Sequence, residues 1–199
     1  MFKKFISIFL LIIAIFTLAF SLSSCKKDTY YVKLQIKNYG DIILELDRDN
    51  APVTVDNFVS LVRSGFYDGL TFHRVIDGFM IQGGAPKSTI DSVEKIKGEF
   101  EANGYKNNIK HVRGVISMAR TGDNKSGFDT ASSQFFIMHD DAPHLDGQYA
   151  AFGHVVEGMD VVDAIVENTA EYGNYNGIIY YSELQAVIEK AVILDSYKK

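Results

Sequence analysis

The sequence predicts a mainly β fold, a closed antiparallel eight-stranded β-barrel capped by two α-helices. Three observations carry that reading. Short runs in which apolar residues alternate with polar ones recur along the chain, and Gly- and Asp/Asn-rich turns separate them. Helical periodicity is confined to two isolated stretches, one opening at Pro52 and one at Met159. The 199 residues suffice for one domain with a real core, and many short strands with two lone helices suit a barrel plugged at its ends.

The barrel does not start at residue 1. Lys3 and Lys4 precede a nearly unbroken apolar run from Phe5 to Phe20, and Leu22-Ser23-Ser24-Cys25 follows where small residues precede a cleavage site. This pattern resembles the lipobox of bacterial lipoproteins. The resemblance implies a signal peptide over residues 1–24, a diacylated Cys25 leading a short tether over 25–29, and a domain over 30–199 anchored to the bacterial cell membrane outside the cytoplasm. The alternative is an uncleaved membrane anchor, for which the apolar run falls short of the roughly 20 residues of a spanning helix. Cys25 is the only cysteine, so disulfides within the chain are excluded. Two acyl chains anchor stably where one holds only marginally. Removing residues 1–24 takes away two lysines and no acid, so the net charge of −5 becomes −7. That balance argues against a nucleic-acid partner, which calls for a basic footprint, and against electrostatic attachment to anionic lipid.

The elements follow in order. Val32, Leu34 and Ile36 alternate with polar residues, then Ile42, Leu44 and Leu46 do the same, about a turn at Asn38-Tyr39-Gly40-Asp41. Pro52 suits the first turn of a helix, where its missing N–H is not needed. Val55, Phe58, Val59 and Val62 then recur at helical spacing, and Gly65 stands where a C-terminal cap belongs. Five more strands are expected over Thr71–Ile76, Phe79–Gln82, Val112–Ala119, Gln134–Met138 and Ala150–Val155. Met159–Val166 carries the second helix on Val161, Val162, Ile165 and Val166, and Ala191–Leu194 is the closing strand. Residues 85–110 and 167–190 lack a clear period and are expected as loops, with a third short helix over Glu183–Lys190.

Three segments hold the chemistry: Phe72-His73-Arg74, Gly78-Phe79-Met80-Ile81-Gln82-Gly83-Gly84 and Ser133-Gln134-Phe135-Phe136. One arginine and two glutamines among bulky apolar residues on strands suit a shallow apolar pocket with a few oriented donors. Met80 and Gln82 share a strand face, as do Gln134 and Phe136, so each pair offers an apolar wall and an amide. His73 and Arg74 are adjacent and point oppositely; Arg74 is assigned to the site, because an arginine inside a barrel is costly without a partner. The five histidines, His73, His111, His139, His144 and His154, show no metal-ligand spacing, and no nucleophile elbow or phosphate-binding loop is present. Neither metal nor cofactor is expected.

The order and spacing of these segments, from about Asp41 to Gly158, resemble the cyclophilin family of peptidyl-prolyl cis-trans isomerases. Supporting landmarks are Leu145-Asp146-Gly147, Phe152-Gly153 and Val156-Glu157-Gly158-Met159. The resemblance implies that Arg74 is the catalytic arginine and that Gln82 orients it and contacts substrate. It places Phe79, Met80, Phe136 and Leu145 around the proline, Ala119 and Arg120 on the edge that pairs with the peptide, and Gln134 against the flanking residue. Three departures stand out: His144 where the family often has tryptophan, Tyr149 where it has a rim histidine, and Ala85-Pro86-Lys87 in place of a glycine-rich stretch. His144 implies weak or no cyclosporin binding, while Tyr149 still offers an aromatic wall and a hydroxyl. The expected partners are proline-containing polypeptides and unfolded exported proteins, and no apolar surface stripe calls for more than a monomer. The alternative from a different class is a non-catalytic module holding proline segments as a chaperone or scaffold on the cell surface; the retention of Arg74, Gln82 and Phe136 together favours turnover.

Overall fold

The structure, a computed structural model, describes residues 29–88, 93–122 and 124–198. The expected signal peptide, Cys25 and most of the tether lie outside the described residues. Among those described, eight strands form a closed barrel: β1 (Thr29–Ile36), β2 (Gly40–Asp47), β3 (Thr71–Ile76), β4 (Met80–Gly83), β5 (Val115–Met118), β6 (Phe135–Met138), β7 (Ala151–Glu157) and β8 (Ala186–Leu194). They are hydrogen-bonded in the order β1-β2-β7-β5-β6-β4-β3-β8, and the ring closes between β8 and β1. Every adjacent pair is antiparallel. The fold class expected from sequence is the fold observed.

Two helices complete it, α1 (Pro52–Arg63) and α2 (Met159–Thr169). Their stripes, Val55, Phe58, Val59 and Val62 on α1 and Val161, Val162, Ile165 and Val166 on α2, join the cluster that fills the barrel. Gly65, just past α1, has φ +72°, the left-handed conformation that ends a helix most cheaply at glycine. The start of α1 is capped from far away. Ala51 offers no side-chain cap; instead Glu99, buried, accepts from the N–H groups of Val53 (3.0 Å) and Thr54 (2.8 Å) and from the Thr54 hydroxyl (2.7 Å). A carboxylate there answers both the orphan donors and the positive end of the helix dipole. No helix among the described residues is long and apolar enough to cross a membrane.

Three sequence expectations need correction. Glu183–Lys190 is not a helix: a 3₁₀ turn at Ser182–Leu184 gives way to β8, which begins at Ala186 rather than Ala191. The pairing of β8 with β1 slips between Gln35 and Ile36, so the buried residues Ala186, Ile188 and Ala191 fall out of strict alternation and hide the strand. The strand expected over Val112–Ala119 shrinks to Val115–Met118, because Gly114 turns at φ +88° and Val112 is exposed. Residues 173–179 are not merely a loop. Val75 donates its N–H to the Gly177 carbonyl (2.8 Å) and Ile179 donates to that of His73 (2.9 Å), so this segment extends the sheet beside β3.

Candidate active site

The site lies outside the barrel, on the face that β4 and β6 turn away from its interior. Ile81, Phe135 and Ile137 point into the core, whereas Met80, Phe136 and Met138 form a second cluster with Val115, Ala142, Leu145 and Ala151. The register sets Met80 opposite Met138 and Gln82 opposite Phe136, which makes the sequence pairs Met80/Gln82 and Gln134/Phe136 neighbours across the strands. Gly84 at the end of β4 permits this close approach: at φ +77°, a Cβ there would stand 2.8 Å from the Ser133 carbonyl oxygen.

On β3 the register slips between Phe72 and Arg74. Phe72 and Val75, three apart, are both in the interior cluster, so strict alternation does not hold at His73 and Arg74. His73 and Arg74 are thus not set on opposite faces by simple alternation as expected, although Arg74 does reach the site. Its Nε donates to the Asn176 carbonyl (2.8 Å) and its Nη1 to Gln82 Oε1 (3.2 Å). Gln82 Nε2 donates in turn to Gln134 Oε1 (3.0 Å). One guanidinium and two amides thus form a directed chain across β3, β4 and the start of β6. Burial pushes the Arg74 pKa down while Tyr149 opposes it, and a guanidinium remains charged through such a shift. His73 is left with Nδ1 buried and without a partner among the described residues, and burial lowers its pKa.

This chain edges a cavity of about 100 Å³ lined by Arg74, Phe79, Met80, Gln82, Ala119, Arg120, Phe136, Leu145 and Tyr149. A larger depression of about 560 Å³, over β2 and β7, is a polar surface groove that holds none of them. Phe136 meets Tyr149 edge-on at 5.7 Å between ring centres. Ala119 donates its N–H to the Gln134 carbonyl (2.9 Å), which ties the end of β5 to the same wall. Of the residues singled out from sequence, Gln134 reaches the cavity through Gln82, and His144, exposed and outside the lining, stacks on Phe79 at 5.7 Å.

One residue behind the site went unassigned in the sequence. His111 is buried, its ring stacked on Phe136 at 6.1 Å. Its Nδ1 lies 3.2 Å from Asp146 Oδ1 and its Nε2 lies 3.1 Å from Ser117 Oγ. Burial lowers the His111 pKa, against the raising influence of Asp146, so the contact joins a neutral imidazole to a carboxylate. For Asp146, burial pushes upward, but the backbone and ring donors of His111, with Lys110, outweigh it and hold the carboxyl below its usual range. The connectivity is that of a Ser-His-Asp triad, yet Ser117 is wholly buried and no substrate carbonyl can reach it. The trio braces Phe136. No sequence signal marks it, because Asp146 lies 35 residues from His111.

With this geometry in place, a family model described as cyclophilin type peptidyl-prolyl cis-trans isomerase/CLD matches residues 31–181. The chain belongs to the cyclophilin family. Among relatives of this cyclophilin, peptidyl-prolyl cis-trans isomerase A of Dickeya dadantii is 48% identical over 144 residues, covering 68% of this chain and 73% of the relative. The peptidyl-prolyl cis-trans isomerase of Helicobacter pylori is 47% identical over 132 residues, covering 64% and 76%. A crystal structure of a Cryptosporidium parvum cyclophilin type peptidyl-prolyl cis-trans isomerase superposes with a TM-score of 0.70 at 28% identity, covering 85% of this chain and 99% of that one. Among the described residues of this cyclophilin, no group of three or more His, Cys, Asp or Glu is placed to hold a metal ion.

Proposed function

We propose that this cyclophilin accelerates rotation about Xaa-Pro bonds through Arg74, with the proline ring seated against Phe79, Met80, Phe136 and Leu145. The chain is a peptidyl-prolyl cis-trans isomerase, and the proposal concerns how these residues do the work. An Xaa-Pro bond rotates slowly because the nitrogen lone pair is delocalised, a barrier of about 18–20 kcal/mol. No bond breaks, so neither nucleophile nor metal is needed. Twisting localises the lone pair on the prolyl nitrogen, which becomes a better acceptor for the Arg74 guanidinium in the twisted state than in either planar one. A 10⁵-fold acceleration requires roughly 7 kcal/mol, whereas one charge-assisted hydrogen bond supplies about 1.5–3 kcal/mol. The remainder falls to the desolvated cavity and to donors that grip the flanking carbonyls, Gln82, Gln134 and the Ala119–Arg120 edge. The observation that carries this reading is the clamping of Arg74 from two sides, by the Asn176 carbonyl and Gln82 Oε1, at the lip of an apolar cavity. Cis-to-trans isomerisation of a short Xaa-Pro peptide by the fragment from Lys26 onward tests it. Wild type is expected to be fast and Arg74→Ala slow; equal rates in the two folded proteins would remove the role given to Arg74.

The cellular setting is part of the same proposal. Removal of residues 1–24 and diacylation of Cys25 would anchor a monomeric domain over 30–199 to the bacterial membrane, facing outside the cytoplasm, where it assists folding of exported proteins. The apolar run from Phe5 to Phe20, the Leu22-Ser23-Ser24-Cys25 boundary and the lone cysteine support this. Uncatalysed isomerisation takes tens to hundreds of seconds, slow enough to limit folding. Loss of membrane partitioning in Cys25→Ser is the expected result; unchanged partitioning would point to a spanning helix. An exposed imidazole at His144, stacked on Phe79 where the family often has an indole, supports weak or no cyclosporin binding.

A further inference from the structure

The cavity carries a charge that the rest of the chain does not. No carboxylate lines it, while two arginines do, in a protein of net charge −5. Neither Arg74 nor Arg120 forms an ion pair among the described residues, whereas Arg48 is paired with Asp56 and Arg113 with Asp163. The donors of Arg74 go to a carbonyl and an amide oxygen, and those of Arg120 go to the carbonyls of Gln148 (3.0 Å) and Gly122. These acceptors orient a guanidinium without cancelling its charge.

Arg120 is also held by rings. Its guanidinium carbon lies 4.5 Å from the centre of the Tyr149 ring, 5.2 Å from Phe128 and 5.4 Å from Phe100. Three aromatic neighbours fix the plane of the cation before any ligand arrives, so little side-chain entropy remains to be lost when an anion meets it. Tyr149 in turn meets Phe136, so Arg120 is joined through one ring to the floor of the cavity. Arg74 is committed to the prolyl nitrogen; the side chain of Arg120, unlike the backbone edge that carries it, is a second fixed cation with no task in the twisting step.

We propose that the Arg120 side chain determines specificity, favouring prolines flanked by an aspartate or glutamate over those flanked by lysine. The inference rests on the isomerase reading of the same site and adds a substrate class to it. Arg120 is only partly buried, so the preference has the size of a solvent-screened charge pair rather than a buried one.

The test uses the full-length protein and tetrapeptides with Glu, Gln or Lys immediately before or immediately after the proline, read as kcat/KM at low ionic strength. The expected order is Glu over Gln over Lys at one of the two flanks, with a Glu-to-Lys ratio of roughly three- to tenfold. That ratio should approach one in Arg120→Gln, persist in part in Arg120→Lys, and collapse in roughly 1 M salt, where charges are screened within about 3 Å. Because each ratio is taken within a single preparation, any loss of folded protein in a variant cancels. An equal rate for Glu and Lys peptides in the wild type, or a preference that survives Arg120→Gln, overturns the inference while leaving the isomerase intact. Failure to accelerate any of the peptides removes both.

Discussion

Phe135 and Phe136 are consecutive in the chain and belong to different parts of the molecule. Phe135 is wholly buried inside the barrel, edge-on to Phe58 at 5.4 Å, Tyr67 at 5.5 Å and Phe72 at 5.9 Å. Phe136 faces outward into a small cluster that leaves a cavity of about 100 Å³ unfilled. An apolar void of that size in the barrel's interior would cost about 2 kcal/mol, so the inner face is packed shut. The outer face can leave room for a ligand because it opens to solvent. One strand, alternating, supplies stability on one side and a binding surface on the other.

Substitutions on the two faces separate these tasks. Phe135→Ala has the largest expected effect, a loss of about 3–5 kcal/mol of stability in urea titration. Phe136→Ala should cost less, about 2–3 kcal/mol, yet lower kcat/KM more per folded molecule than Phe135→Ala does; similar activity losses in the two variants would erase the division. Arg74→Ala should reduce kcat/KM roughly 10- to 100-fold while moving stability by under about 0.5 kcal/mol. A stability loss as large as that of Phe135→Ala would place Arg74 with the framework. Glu99→Gln probes the inner region from the start of α1: removing the charge there should cost about 1–2 kcal/mol in urea titration and leave peptide isomerisation unchanged.

The smallest effect is in pH. Burial holds the folded pKa of His111 below its ordinary value of 6.5, and that of His73 likewise. Below 6.5 the unfolded chain takes up protons that the folded chain refuses, so stability is complete above that pH and declines as the pH falls. His111→Gln should shallow the decline between about pH 7 and pH 5.5, seen as a smaller shift of the urea midpoint. An unchanged slope would mean that His111 contributes nothing to it.

The sequence made legible those features that depend on local period. Val32 to Ile36, Val55 to Val62 and Val161 to Val166 show their faces within a few residues, and each lies where the pattern predicts. The pairs Met80/Gln82 and Gln134/Phe136 were readable for the same reason, since alternation along a strand decides which side chains share a face. What escaped depends on distant partners or on broken alternation. The carbonyl of Asn176 is 102 residues from Arg74, and Glu99 is 46 from Val53. The slip opposite Gln35 and Ile36 disguised β8 as a possible helix, and the slip between Phe72 and Arg74 undid the simple choice between His73 and Arg74.

The seam between β1 and β8 has a consequence for how the molecule comes into being. Tyr31 is paired with Leu194, so the sheet's first strand waits for its last before the ring can close. Until β8 has been synthesised, the sheet can be no more than an open curl with two unsatisfied edges. Closure therefore waits on β8, which zips against a strand made roughly 150 residues before it.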